Sequence, residues 1–239
     1  MFYFMLQPVM AYRFLLILAA VVPAIVLMAK VYRQARLDRQ SPLLLRRMVT
    51  GGILAALFAT LLERLGELFL VRYVPQSSIW YSILLNFVIV GLAEEGCKYA
   101  VMKYRSWNSM EFSSLYDGVV YAVFASLGFA LWENIRYVLR YGLSTAFIRA
   151  ITAIPGHACF GVIMGIFYGL AKKEDRFRSQ NRSVFYQILA VAVPALVHGA
   201  YDWIASLYSG SLVFILFLVI LFVIAWLLVD YAAKNDRYI

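Results

Sequence analysis

Charge is scarce in this chain. Only 15% of its 239 residues are Asp, Glu, Lys or Arg, while 64% are hydrophobic; soluble domains run nearer a quarter charged and about half apolar. That shortfall excludes an ordinary soluble domain, because so much apolar surface cannot be hidden in one water-facing core, and lipid is the natural solvent for the excess. Also missing are a soluble domain, a low-complexity tract and a clear internal repeat. The N-terminus has neither a basic start nor an Ala-x-Ala cleavage site, so the first apolar segment is expected to be a retained anchor rather than a signal peptide. Cysteine is limited to Cys97 and Cys159. Both fall inside apolar segments, where they serve as small fillers and set no redox compartment. Acidic residues number 13 against 22 basic ones, for a net charge of +9. The basic excess does not point to nucleic acid. Basic residues sit mostly in a few short segments between apolar stretches, where the positive-inside rule and anionic lipid headgroups account for them.

What is present in quantity is apolar sequence in runs of about 20 residues, the length that crosses a bilayer. About seven spans are predicted, at roughly Pro8–Ala29, Met48–Val71, Trp80–Met102, Leu115–Leu139, Ala146–Ala171, Val184–Tyr208 and Leu212–Tyr231. The expected fold is one all-α polytopic transmembrane bundle over residues 1–239, with no second domain. The second span is the weakest, since Glu63, Arg64 and Glu67 lie inside it. Basic residues cluster after the first span (Lys30, Arg33, Arg36, Arg39, Arg46, Arg47), the third (Lys103, Arg105), the fifth (Lys172, Lys173, Arg176, Arg178, Arg182) and the last (Lys234, Arg237). Their distribution predicts an N-terminus outside and a C-terminus in the cytosol of a multi-pass cell-membrane protein. Small residues recur at helical spacing, Gly161, Gly165 and Gly169 in the fifth span and Gly118, Ala122, Ser126 and Ala130 in the fourth. Such stripes let helix backbones approach closely in lipid.

Against this apolar ground a few ionisable residues stand out, because each costs several kcal/mol at mid-membrane and such groups usually face the bundle interior. The third span carries Glu94, Glu95 and Lys98. Glu94 and Lys98 are one helical turn apart, which allows either an ion pair or a buried general base. The fourth carries Glu133 and Asn134, on a stripe with Asp117, Tyr121, Ala125, Phe129 and Tyr137 at spacing four; Arg136 is a candidate partner for Glu133. Asn134 is uncharged and can donate to a substrate carbonyl or an oxyanion. The two histidines of the chain, His157 and His198, fall in the fifth and sixth spans, with Asp202 one turn beyond His198. Histidine is a frequent acid–base group and the commonest metal ligand. Four successive spans therefore bear groups that lipid rejects, which predicts an intramembrane polar site.

The order Glu94-Glu95-x-x-Lys98, Phe129-x-x-x-Glu133-Asn134-x-x-Tyr137, His157 and His198-x-x-x-Asp202 resembles the PrsW family of bacterial intramembrane proteases, within the wider group that includes the CAAX prenyl endopeptidases. The resemblance spans about Trp80 to Trp203, and a motif-bearing core of about residues 80–208 follows from it. CAAX-type members have a histidine where this chain has Glu133, which makes a prenylated substrate tail unexpected. The resemblance implies a CAAX-protease-like core in the bacterial cytoplasmic membrane and hydrolysis of a peptide bond in a membrane-anchored protein, an anti-sigma factor being the substrate class. It also implies roles. Glu94 or Glu95 is the general base, Glu94 preferred by its position in the motif. His157 and His198, with Glu133 or Asp202, are candidates to bind a divalent metal such as zinc. In a metal-free scheme a glutamate activates water directly while His198 and Asn134 stabilise the oxyanion. A proton- or ion-coupled transporter is the alternative of a different class, and the lack of an internal repeat weighs against it. Glu94 and Glu95 sit toward the cytosolic end of their span and the other groups toward the outer ends of theirs. The site therefore closes only if the third helix starts late, or is shifted or broken near Gly91.

Overall fold

A computed structural model describes the backbone of residues 2–35, 37 and 40–239, and side chains from Met10 onward. Arg36 and Arg39 of the first basic cluster lie outside the described residues. The chain is helical nearly throughout. In order come α1 (Phe2–Arg33), α2 (Pro42–Tyr73), α3 (Ile79–Ile83), a π-helical segment (Leu84–Gly91) running without a break into α4 (Leu92–Ser106), α5 (Leu115–Tyr141), α6 (Leu143–Ile151), α7 (Ala153–Arg176), α8 (Gln180–Tyr208) and α9 (Leu212–Lys234). No strand forms among the described residues; Ser114 and Tyr238 make an isolated bridge.

Local chemistry sets the boundaries. The Ser41 side chain accepts from Leu44 N–H with Pro42 at the first helical position, and this starts α2. Ser78 and Ser211 cap α3 and α9. Ser114 and Asp117 form a reciprocal capping box at the head of α5. Gly142, at φ 88°, turns the chain from α5 into α6.

Six helices are long and apolar enough to cross a bilayer: Met10–Arg33, Ile79–Ser106, Leu115–Tyr141, Leu143–Arg176, Gln180–Tyr208 and Leu212–Lys234. The polytopic all-α bundle expected from sequence is present, with one span fewer than seven. The missing one is α2, the helix whose Glu63, Arg64 and Glu67 interrupt its apolar face. The fifth predicted span is also divided. Its first part is the separate short helix α6, and Thr152, off helical geometry, breaks it from α7.

At the centre lies α5, buried without interruption from Tyr116 to Ala130 and packed against α7, α2 and α1. The glycine stripe makes the α5–α7 contact close. A Cβ on Gly118 would stand 2.7 Å from Gly165 O and 2.8 Å from Gly169 N. The π segment crosses α8 just as tightly, for a Cβ on Gly91 would lie 2.6 Å from Ala195 O, and one on Gly199 2.7 Å from Phe87 Cα. Here backbone packs on backbone, and no side-chain rearrangement relieves an added methyl. Gly118→Ala is accordingly expected to lower unfolding stability in detergent by about 1–3 kcal/mol. Gly96→Ala, with no atom within 4 Å of the new Cβ, should be neutral or slightly stabilising in the same thermal-melt assay.

Candidate active site

The π segment settles how the third span reaches its partners. The helix begins at Ile79, not later than Trp80, but its winding is i→i+5 from Leu84 to Gly91. The wider turn shifts the register of everything after it, an irregularity that recurs at functional sites. It ends three residues before Glu94, so the Glu pair emerges on a face that unbroken α-winding from Ile79 would not give. Gly91 and Gly199 then let α8 come close enough for His198 to reach that face.

Lys98 is the hub. Its ammonium has no solvent exposure and donates to Glu95 Oε1 at 2.6 Å and Glu94 Oε2 at 3.2 Å, with His157 Nδ1 at 3.2 Å. An ammonium only donates, so His157 Nδ1 is the acceptor and Nε2 carries the ring proton. That N–H donates to Glu133 Oε2 at 2.9 Å. Below, the Phe129 ring lies 4.1 Å from Lys98 Nζ, a cation–π contact that assists the burial. On α8, His198 turns Nδ1 to Glu95 Oε1 at 2.9 Å and Nε2 to Asp202 Oδ2 at 3.3 Å, with its ring stacked on Phe160. The two imidazoles stand edge to face, 5.4 Å between centroids.

A cavity of about 330 Å³ opens over this network, lined among others by Glu63, Glu94, Glu133, Arg149, His157, His198 and Asp202. Glu94 faces the cavity; Glu95 is fully buried beneath it, held by Lys98 and His198. A larger hollow of about 660 Å³ adjoins it and shares Glu63, Val90, Glu94, Glu133 and Tyr137. Glu94, Glu133, His157, His198 and Asp202 thus meet at one place. Asn134 does not reach the cavity. It is fully buried, donates Nδ2–H to Ala20 O at 2.8 Å and accepts from Arg149 Nε at 2.8 Å. Arg136 leaves Glu133 alone and donates to Thr60 Oγ1. Besides His157, the partner of Glu133 is Arg149 of α6, at 2.9 Å.

The chain matches the family described as PrsW family intramembrane metalloprotease over residues 40–229. The chain belongs to that family. It is 32% identical to Protease PrsW of Oceanobacillus iheyensis over 220 residues, covering 91% of this chain and 95% of that protein. It is 31% identical to Protease PrsW of Bacillus subtilis over 206 residues, covering 85% and 88%. No solved structure matches. The PrsW family membership makes the chain an intramembrane protease and does not favour the transporter alternative.

The description as a metalloprotease calls for a donor set, and one is present. Glu94, Glu95 and His157 offer ligand atoms all within 4.8 Å of one another. Glu95 Oε2 is a buried carboxylate oxygen without a hydrogen-bond partner. The Glu133–His157 contact is the carboxylate–imidazole pairing that orients metal-binding histidines. These residues fit a divalent ion, although Lys98 already draws on the same three groups. This trio shares only His157 with the four ligands expected from sequence, His157, His198, Glu133 and Asp202.

Two charged residues of the cavity do not stand out as site residues in the sequence. Glu63 registered only as a blemish in α2. Arg149 went unnoticed, although a lone arginine inside an apolar stretch eight residues before His157 is the same signal that drew attention to Glu133. Removing the hub leaves two buried carboxylates without their cation. Lys98→Met is therefore expected to destabilise the protein by about 3–5 kcal/mol, read as a fall in the detergent melting temperature.

Proposed function

We propose that this PrsW family protease cleaves a single-span, membrane-anchored protein, with an anti-sigma factor as the substrate class, and that Glu94 is the general base. The observation that carries the reading is the convergence of Glu94, Glu133, His157 and His198 on one cavity among the membrane-spanning helices. Hydrolysis there needs a water molecule relieved of a proton, a polarised carbonyl and a proton for the departing amine. Glu94 faces the cavity, so it takes the proton as the water oxygen attacks the carbonyl carbon, and returns it to the nitrogen as the C–N bond breaks. Glu95 and Lys98, beneath it, hold Glu94 and His157 in place. His198, between Glu95 and Asp202, is the second proton-handling group. A divalent ion held by Glu94, Glu95 and His157 would supply Lewis-acid polarisation and a more acidic water. The basic loops support insertion with the N-terminus outside and the C-terminus in the cytosol.

Co-expression with an epitope-tagged single-span substrate tests this. Glu94→Gln should lower the cleavage rate by about 10²–10⁴-fold, the usual worth of a general base, with unchanged expression and melting temperature. Wild-type cleavage by the Glu94→Gln variant would overturn the assignment. With the purified enzyme, chelation followed by zinc add-back should remove and then restore activity. Full activity after exhaustive chelation would assign the chemistry to the carboxylates and histidines alone.

A further inference from the structure

A peptidase must stabilise the oxyanion that forms on the scissile carbonyl, and of the two residues expected to do so, His198 and Asn134, the second is turned away from the cavity. Both ends of the Asn134 amide are committed, to Ala20 O and to Arg149 Nε. The other polar groups of the cavity are largely engaged as well. His157 gives its ring N–H to Glu133. The nitrogens of His198 face Glu95 and Asp202. Asn86 donates back to Ser82. Lys98 spends its ammonium on Glu94, Glu95 and His157.

Arg149 is placed differently. It lines the cavity, is only 13% exposed, and is fixed from three sides. Nε donates to Asn134 Oδ1 at 2.8 Å, Nη2 donates to Glu133 Oε2 at 2.9 Å, and the guanidinium lies 4.1 Å over the Tyr137 ring. These bonds use two of its five N–H groups. The rest belong to a permanently charged, immobilised fork. Donors fixed in advance where negative charge develops need no reorganisation during reaction, which is the property of an oxyanion hole.

We propose that Arg149 is the oxyanion donor of this protease, a catalytic residue, with Asn134 acting as the positioning residue behind it. The proposal rests on the proteolytic reading above. It assigns a role to the short helix α6, which carries Arg149 to the rim of the cavity from outside the motifs.

The test uses the purified full-length enzyme in detergent, the tagged single-span substrate, and a substrate-derived peptide with a phosphinate in place of the scissile amide. Arg149→Gln should lower kcat by about 10²–10³-fold, the cost of losing one oxyanion donor, with KM within about twofold. In the Glu94→Gln background the same substitution should weaken phosphinate binding by a similar factor and leave binding of the uncleaved substrate unchanged. A residue that merely braced Glu133 would lower the affinity for both peptides alike, and that result overturns the proposal. So does a kcat within threefold of wild type, or a Tyr137→Phe variant that loses the activity Arg149→Gln retains. If Arg149→Gln does not fold, Arg149→Lys, which keeps the charge but not the fork, takes its place and should show the same selective loss. A wild-type enzyme that cleaves nothing defeats the proteolytic reading itself, whereas an active wild type whose Arg149→Gln variant loses neither kcat nor phosphinate affinity defeats the oxyanion assignment alone.

Discussion

One buried ammonium makes this site possible. Glu94 and Glu95 are sequence neighbours in a helix that crosses the apolar layer, and each carboxylate taken out of water costs several kcal/mol before their mutual repulsion is counted. Lys98, one turn further along the same helix, answers both at once and reaches His157 on α7. Without it the acids would have to lose their charge or be drawn toward water, and the site would come apart. Because a lysine can only donate, its contact also fixes which nitrogen of His157 bears hydrogen, and so fixes the orientation of Glu133 beyond. The interaction therefore sets protonation pattern as well as stability.

That network needs helices held at fixed distances, and the glycine contacts provide them. In lipid no hydrophobic force drives helix against helix, so close van der Waals packing has to do it. The α5–α7 stripe brings the helix of Glu133 against the helix of His157, and Ser126 Oγ donates to His157 O at 2.6 Å across that seam. The Gly91 and Gly199 approach does the same for the helix of the Glu pair and that of His198. A methyl group at either seam would move charged partners whose bonds tolerate only a few tenths of an ångström. The apolar frame and the polar cluster are parts of a single constraint.

This coupling explains which features the sequence disclosed. Ionisable residues in apolar runs are conspicuous because lipid penalises them, so Glu94, Glu95, Glu133, His157, His198 and Asp202 were all legible, and so was the bundle. Direction was not. Asn134 follows Glu133 in the chain, yet one residue turns a side chain by roughly 100° around an α-helix; Glu133 faces the cavity while Asn134 faces α1. Nor was the π winding visible, since Leu84–Gly91 is an apolar run with one asparagine and no breaker before its last residue. The need for such a shift was legible from topology; its form depends on the crossing with α8. Arg149 escaped because it belongs to no spaced motif and its helix merges in sequence with the span that follows.

The same geometry accounts for the one helix that reads poorly as a membrane span. Hydrolysis at membrane depth consumes water, and irregular or polar structure there is tolerated where it lines a wet space. The polar side of α2 does so. Thr60, Glu63, Arg64 and Glu67 line the larger hollow, opposite Arg136 and Arg140 of α5, and Glu63 lines the inner cavity too. The charges that disqualify α2 as a lipid-facing helix are the charges that give the hollow beside Glu94 a polar wall. Replacing them with leucines would make α2 a better transmembrane segment and leave that wall apolar, so its poor hydropathy follows from the chemistry the bundle encloses.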